Sequence, residues 1–98
     1  MFQKLEDVEK RYEELNKLIS DPEVISNQSE WKKLMKEHSD IEDVVFKFRE
    51  YKQVKKTFEE AKEMLNDKDM ADFAKEEISE LTKSKETIES ELEILLLF

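Results

Sequence analysis

Apolar residues recur along the chain in steps of three and four, which is the spacing of an amphipathic helix. The stripe nearest the start predicts a first helix over about residues 2–20. Pro22 should end it, because proline disfavours helical geometry in the residue before it, and Asp21 can then cap a short turn that begins at Pro22. The stripe consists of Leu5, Val8, Tyr12, Leu15 and Ile19.

A long second helix is predicted over about residues 27–65. It starts with a capping-box pattern, Asn27 followed three residues later by Glu30. Two heptad seams follow and join with two successive three-residue steps, an irregularity that predicts a kink or a change of packing face near residues 46–52. The seams are Trp31, Leu34, His38, Ile41, Val45 and Phe48, then Tyr51, Val54, Phe58, Ala61 and Leu65.

A third helix is predicted over about residues 69–97, with Asn66 in a left-handed cap position and Asp69 as the next N-cap. The short connection favours an antiparallel pair. We therefore predict an all-α fold, either an antiparallel three-helix bundle or a coiled-coil-like hairpin, in which residues 1–98 form a single helical domain. Its second helix is very long and either kinks or changes its packing face. The third seam is Met70, Ala74, Ile78, Leu81, Ile88, Leu92 and Leu95, with Lys85 interrupting it.

Composition supports the helical interpretation. The chain has no glycine, one proline and 44% charged residues, whereas tight hairpins require residues such as glycine at positive φ. The 38% of hydrophobic residues at helical spacing argues against disorder. With no cysteine, no signal peptide and no apolar run long enough to cross a membrane, a cytoplasmic protein is predicted.

Candidate chemistry is sparse. Carboxylates are plentiful, but catalysis needs a pair in a concave, partly desolvated site, and exposed helix faces do not provide one. His38 is the single histidine, placed at the edge of a seam with one nitrogen expected in water. Phosphate-binding loops require glycine. We predict no catalytic, cofactor-binding or metal-binding residue, no cofactor, and no enzymatic activity.

The net charge of −9 disfavours general or sequence-specific nucleic-acid binding, because phosphate backbones are bound by clustered cations. One stretch of the second helix is locally basic. Its two interleaved aromatics, Phe48 and Tyr51, lie on the seam, so a solvated or intramolecularly paired face is favoured over an RNA contact. This basic face is nevertheless the candidate partner contact, and it consists of Lys47, Arg49, Lys52, Lys55 and Lys56.

The segment 94–98 is apolar on every side of its helix, which a lone surface helix does not tolerate. Either this end folds back onto the bundle, or the natural chain continues into a further domain that covers it.

Three segments carry a family resemblance: MFQKLEDVEKRYEELNKLISDPEVI at the start, KEMLNDKDMADFAKEEISEL from residue 62, and LEILLL from residue 92. In order and spacing, they resemble the opening of bacterial class I peptide chain release factors, of the type that reads UAG as well as UAA. The resemblance covers most of the chain.

The resemblance implies the amino-terminal helical domain of a factor that enters the ribosome at a stop codon and triggers hydrolysis of peptidyl-tRNA. A chain without glycine lacks the family's Gly-Gly-Gln motif. Pro22 is followed by Glu23 and Val24, so it does not begin the Pro-x-Thr tripeptide that recognises the codon in this family. The catalytic and codon-recognition domains are therefore expected after residue 98. The implied function is docking and orienting the factor on the ribosome in translation termination, with the stalk-base protein of the large subunit as partner.

A self-associating coiled-coil adaptor or scaffold remains the alternative, because heptad seams also recruit a second copy of a chain.

Overall fold

The computed structural model describes residues 1–97, and this part of the chain contains four α-helices and no strand. The prediction of an all-helical fold with a very long central helix is confirmed. The helices are α1 (Phe2–Leu18), α2 (Pro22–Ser26), α3 (Gln28–Met64) and α4 (Ala71–Leu96). At about 1.5 Å per residue, α3 is roughly 55 Å long.

The chain forms two compact units, Met1–Phe46 and the part from Lys47 onward. Helix α3 runs through the boundary without interruption. What changes there is its packing partner, which is α1 in the first unit and α4 in the second. The boundary coincides with the heptad irregularity predicted near residues 46–52.

In the first unit, α1 and α3 pack antiparallel. As residue numbers rise along the first helix segment, the numbers of their partners in α3 fall. The Tyr12 hydroxyl donates to Glu42 at 2.9 Å, and Trp31 Nε1 donates to the Ile19 carbonyl at 3.1 Å. Burying an aliphatic or aromatic side chain contributes about 1.5–3 kcal/mol, so the apolar seam supplies most of the stability. The buried residues of this unit are Leu5, Tyr12, Leu15 and Val45.

Side-chain caps shape the connection between α1 and α3. Asp21 accepts the Glu23 amide at 3.0 Å and Pro22 opens α2, as predicted. Asn27 accepts the Glu30 amide at 3.2 Å, which confirms it as a cap of α3. The reciprocal half of the predicted capping box is replaced, because the Asn27 amide donates to the Val24 carbonyl at 3.0 Å.

In the second unit, α3 and α4 are also antiparallel. The Tyr51 hydroxyl donates to Glu89 at 3.0 Å, and Lys85, which interrupts the seam, places Nζ 5.6 Å from the centroid of the Phe58 ring. Burial, together with the neighbouring Glu89 carboxylate, raises the pKa of Tyr51 to about 12. The buried residues here are Phe48, Tyr51, Ala61, Ala74, Ile88 and Leu92.

The turn between α3 and α4 differs from the prediction. Asn66 does not adopt a left-handed conformation, since no described residue has a positive φ. Successive amides, beginning with Leu65 N–H to the Lys62 carbonyl at 3.3 Å, donate three residues back instead and satisfy the last carbonyls of α3. Asp69 does not cap α4, whose N-cap is Met70 and has no side-chain cap.

The apolar end of α4 is partly exposed. Ile94 is 56% and Leu97 82% exposed, whereas Leu92 is fully buried. The last member of the predicted apolar segment, Phe98, lies outside the described residues.

Candidate docking surface

The basic face on α3 is split by the fold into engaged and open members. The aromatics interleaved with it, Phe48 and Tyr51, are 2% and 4% exposed and belong to the core, as their seam positions predicted. They are therefore not available for stacking on bases.

Lys47 is bound within its own unit. Its ammonium lies 2.6 Å from a Glu91 carboxylate oxygen on α4 and 3.1 Å from Glu50. The hydrogen bonds from Lys47 to these two carboxylates raise the pKa of the lysine. Its charge is directed inward to this pair rather than toward a partner.

The other members lie on the outside of α3. Lys52 places its ammonium 4.5 Å from the centroid of the Phe48 ring, a cation–π contact, and Arg49 is exposed. Lys55 and Lys56 are exposed neighbours. The structure thus places all five cations on one stretch of helix and leaves four of them exposed, with Lys55 and Lys56 as direct neighbours.

A polar cluster lies between α1 and α3 in the first unit. His38 stacks on the Tyr12 ring with centroids 4.5 Å apart, and its Nε2 is 2.7 Å from Asn16 Oδ1. Its Nδ1 is 3.9 Å from Glu42. Asn16 therefore occupies Nε2, and the prediction of a ring nitrogen in water stays a prediction for Nδ1. The cluster joins α1 to α3 through these side chains.

Arg11 forms charged contacts with two glutamates of this unit. Its guanidinium donates two hydrogen bonds to Glu37, at 2.6 and 2.8 Å, and one to Glu14 at 2.6 Å. The hydrogen bonds from Arg11 lower the pKa of Glu37, and the same contact raises the pKa of Arg11. Such a fork between a guanidinium and a carboxylate fixes geometry as well as charge.

Two open grooves lie on the described surface, one in each unit. One groove of about 250 Å³ is lined by Ile25, Gln28, Trp31 and Lys32. Within residues 1–97, no cluster of three or more histidine or acidic side chains has the arrangement to hold a metal ion. None of the helices described combines the length and apolar character needed to span a bilayer.

Comparison with known proteins places these features in a family. The PCRF domain matches residues 8–98. The chain belongs to that family. The buried residues described above, apart from Leu5, and the basic face fall inside the match.

Curated relatives of this PCRF domain include bacterial proteins named peptide chain release factor 1. It is 52% identical to the protein of Caldicellulosiruptor saccharolyticus and 50% identical to that of Clostridium acetobutylicum, over 99% of this chain in each case. The match with the protein of Clostridium botulinum strain 657 is 51% identical. The PCRF domain spans 28% of the length of these relatives. No solved structure matches it significantly.

Sequence reasoning identified the basic face but not the partners that occupy it. Glu91 lies 44 residues after Lys47, and no local spacing links the two residues. Sequence reasoning also missed the large apolar side chains that remain exposed around the turn between α3 and α4. The heptad pattern assigned two of these side chains, Leu65 and Met70, to the core, so no signal in the sequence indicated that they are exposed.

Proposed function

We propose that this PCRF domain is the amino-terminal docking and orienting module of a peptide chain release factor and acts in translation termination in the cytoplasm. The observation that supports this most is the similarity over 99% of the chain to proteins named peptide chain release factor 1, at 50–52% identity. In this proposal the domain binds the ribosome and the chemistry belongs to the remaining domains of the factor.

The partner we propose is the stalk-base protein of the large ribosomal subunit. A net charge of −9 favours approach to a basic protein surface and opposes approach to bare RNA. Attraction of this kind accelerates association and is screened by salt.

Within the basic face, Lys55 and Lys56 are the members we propose for a ribosomal contact, made with acidic side chains and not with the basic surface that attracts the chain as a whole. Both are exposed, whereas Lys47 is held by Glu91. The assignment separates a contact role for the open pair from a folding role for Lys47.

Binding to purified large ribosomal subunits, with and without their stalk-base protein, tests this function. We expect binding that depends on that protein and weakens as salt rises from about 0.01 M to about 0.15 M, which shortens the Debye length from about 30 Å to about 8 Å. Absence of binding by a folded chain at every salt concentration would contradict the proposal.

The contact role of Lys55 and Lys56 is tested with the double variant Lys55→Glu/Lys56→Glu. Lys32→Glu/Lys33→Glu is the matched control, because it reverses another exposed neighbouring pair on α3. A contact at the basic face predicts a change of affinity in the first variant that the control does not reproduce. Equal effects would assign the result to net charge alone.

The coiled-coil adaptor is disfavoured by the burial of the seams. Leu15 and Leu92 are fully buried within their own units, so the positions that a second copy would need are occupied. A melting temperature that rises with protein concentration would favour the adaptor instead, because self-association stabilises by mass action.

A further inference from the structure

The turn between α3 and α4 exposes large apolar side chains. All six residues from 65 to 70 are exposed. Leu65 is 40% exposed and Met70 36%, although the heptad pattern assigned both to the core. Phe73, in the first turn of α4, is 53% exposed, while its neighbour Ala74 is fully buried. The apolar side chains at this end of the hairpin therefore point to solvent.

Local hydrogen bonds hold this turn. The Asp67 amide donates to the Met64 carbonyl at 3.1 Å, and the Met70 amide donates to the Asp67 carbonyl at 3.0 Å. The Asp69 amide donates to the Asp67 carboxylate at 3.0 Å. Ala61 and Ala74, which are small and buried, close the core beneath the turn. The exposure of the apolar side chains therefore belongs to an ordered turn.

Acidic side chains accompany the apolar ones. Among the described residues, the carboxylates of Asp67, Asp69 and Asp72 form no ion pair, so their charge is available to an external partner. Phosphate backbones would be repelled by this charge, whereas a cationic protein surface would be attracted. Exposed apolar side chains rimmed by charge are typical of protein interfaces, where a central aromatic residue often supplies much of the affinity.

We propose that the turn surface, defined as Leu65, Asp67, Asp69, Met70, Asp72 and Phe73, docks on a basic protein surface that has an apolar recess for Phe73. This inference rests on the proposed function and deepens it by naming the surface and the chemistry of its partner. The carboxylates steer the encounter, and burial of Phe73 slows dissociation.

The test compares Phe73→Ser with Ile94→Ser in binding to large ribosomal subunits that retain their stalk-base protein. Ile94 is the matched control because it is a similarly exposed apolar residue, at 56%, on the same helix but about 30 Å away along its axis. We expect Phe73→Ser to weaken binding about tenfold or more, and Ile94→Ser to leave it within about twofold. Helical content by circular dichroism is measured first, and Met70→Ser replaces Phe73→Ser if that variant is unfolded.

The outcomes separate the two proposals. Loss of affinity in Phe73→Ser alone supports the turn surface. If the unaltered chain binds and both variants bind equally well, the turn surface is wrong and the proposed function stands. If the unaltered chain does not bind, both proposals fail.

A second comparison tests the chemistry of the partner. Asp69→Asn should reduce the salt dependence of binding more than Asp43→Asn, which removes an exposed carboxylate from α3 in the other unit. Equal salt dependence in the two variants would show that the partner does not present its cationic surface to the turn.

Discussion

Arg11 makes a contact between residues that are distant in the sequence. Its guanidinium joins α1 to α3 through two hydrogen bonds to Glu37. Both side chains remain more than a third exposed, at 37% and 40%, so water screens the pair and its net contribution is about 0.5–1 kcal/mol. The contact fixes the register between two helices that the apolar seam holds together.

Glu37→Gln should lower the free energy of unfolding by about 0.5–1 kcal/mol near pH 7. Because the pKa of Glu37 is lowered in the folded state, its contribution is present above the ordinary glutamate pKa of about 4.3 and is lost as the pH falls through the lower, folded value. Urea unfolding across this range should therefore show the variant and the unaltered chain converging in acid.

Asp40→Asn is the control for this comparison, since its pair with Lys36 lies on the same helix but is 61% and 78% exposed. Its effect should be smaller at every pH. A loss in Glu37→Gln that persists unchanged into acid would show that packing, and not charge, accounts for it.

At the scale of helices, local hydrogen bonds determine where each helix ends, and the spacing of apolar residues determines which face of the helix is buried. Asn27 terminates α2 through its amide and begins α3 through its side chain. One residue therefore serves two helices, which allows a connection of few residues between α1 and α3.

Asn27→Ala should destabilise the chain by about 1 kcal/mol, because the Glu30 amide loses its acceptor at the start of α3. Asn27→Asp should retain most of the stability, since a carboxylate accepts the same bond and suits a helix N-terminus. Thermal unfolding followed by circular dichroism measures both. Equal destabilisation in the two variants would remove the capping explanation.

The sequence predicted the helical faces well and the turn poorly, for physical reasons. Leu15 and Leu92 follow the periodic pattern and are fully buried. Leu65 and Met70 also follow it, but α3 ends at Met64. Helical spacing no longer predicts which side chains are buried once the helix has ended.

The candidate site was predictable only in outline. The cluster of cations on α3 is visible in the sequence, whereas the capture of Lys47 by Glu91 depends on the antiparallel packing of α4. Pairs such as Tyr12 with Glu42, which are 30 residues apart, likewise follow from tertiary contacts that local patterns do not encode.

At the scale of the whole molecule, α3 contributes to both cores, with Val45 on one side of the unit boundary and Phe48 on the other. Unfolding either unit removes the packing partner from part of a single continuous helix. The two units should therefore unfold in one cooperative transition.

Leu15→Ala and Leu92→Ala test this coupling, because each removes a fully buried side chain from a different unit. Each should cost about 2–5 kcal/mol and shift a single transition, while Ile94→Ala, at an exposed position, should change it little. Urea unfolding monitored by circular dichroism and by Trp31 fluorescence should give coincident curves. Separate transitions by the two probes would show that the units unfold independently.

The continuous helix shared by the two units also gives the chain an order of assembly. The described contacts between α1 and α3 join residues of the first 46 positions, so this unit has all its partners while the rest of the chain is still being synthesised. The second half of α3 emerges next with Phe48 and Tyr51 uncovered, and they stay so until Ile88 and Leu92 follow. Helix α4 then completes the second unit by packing on the part of α3 that follows Phe46.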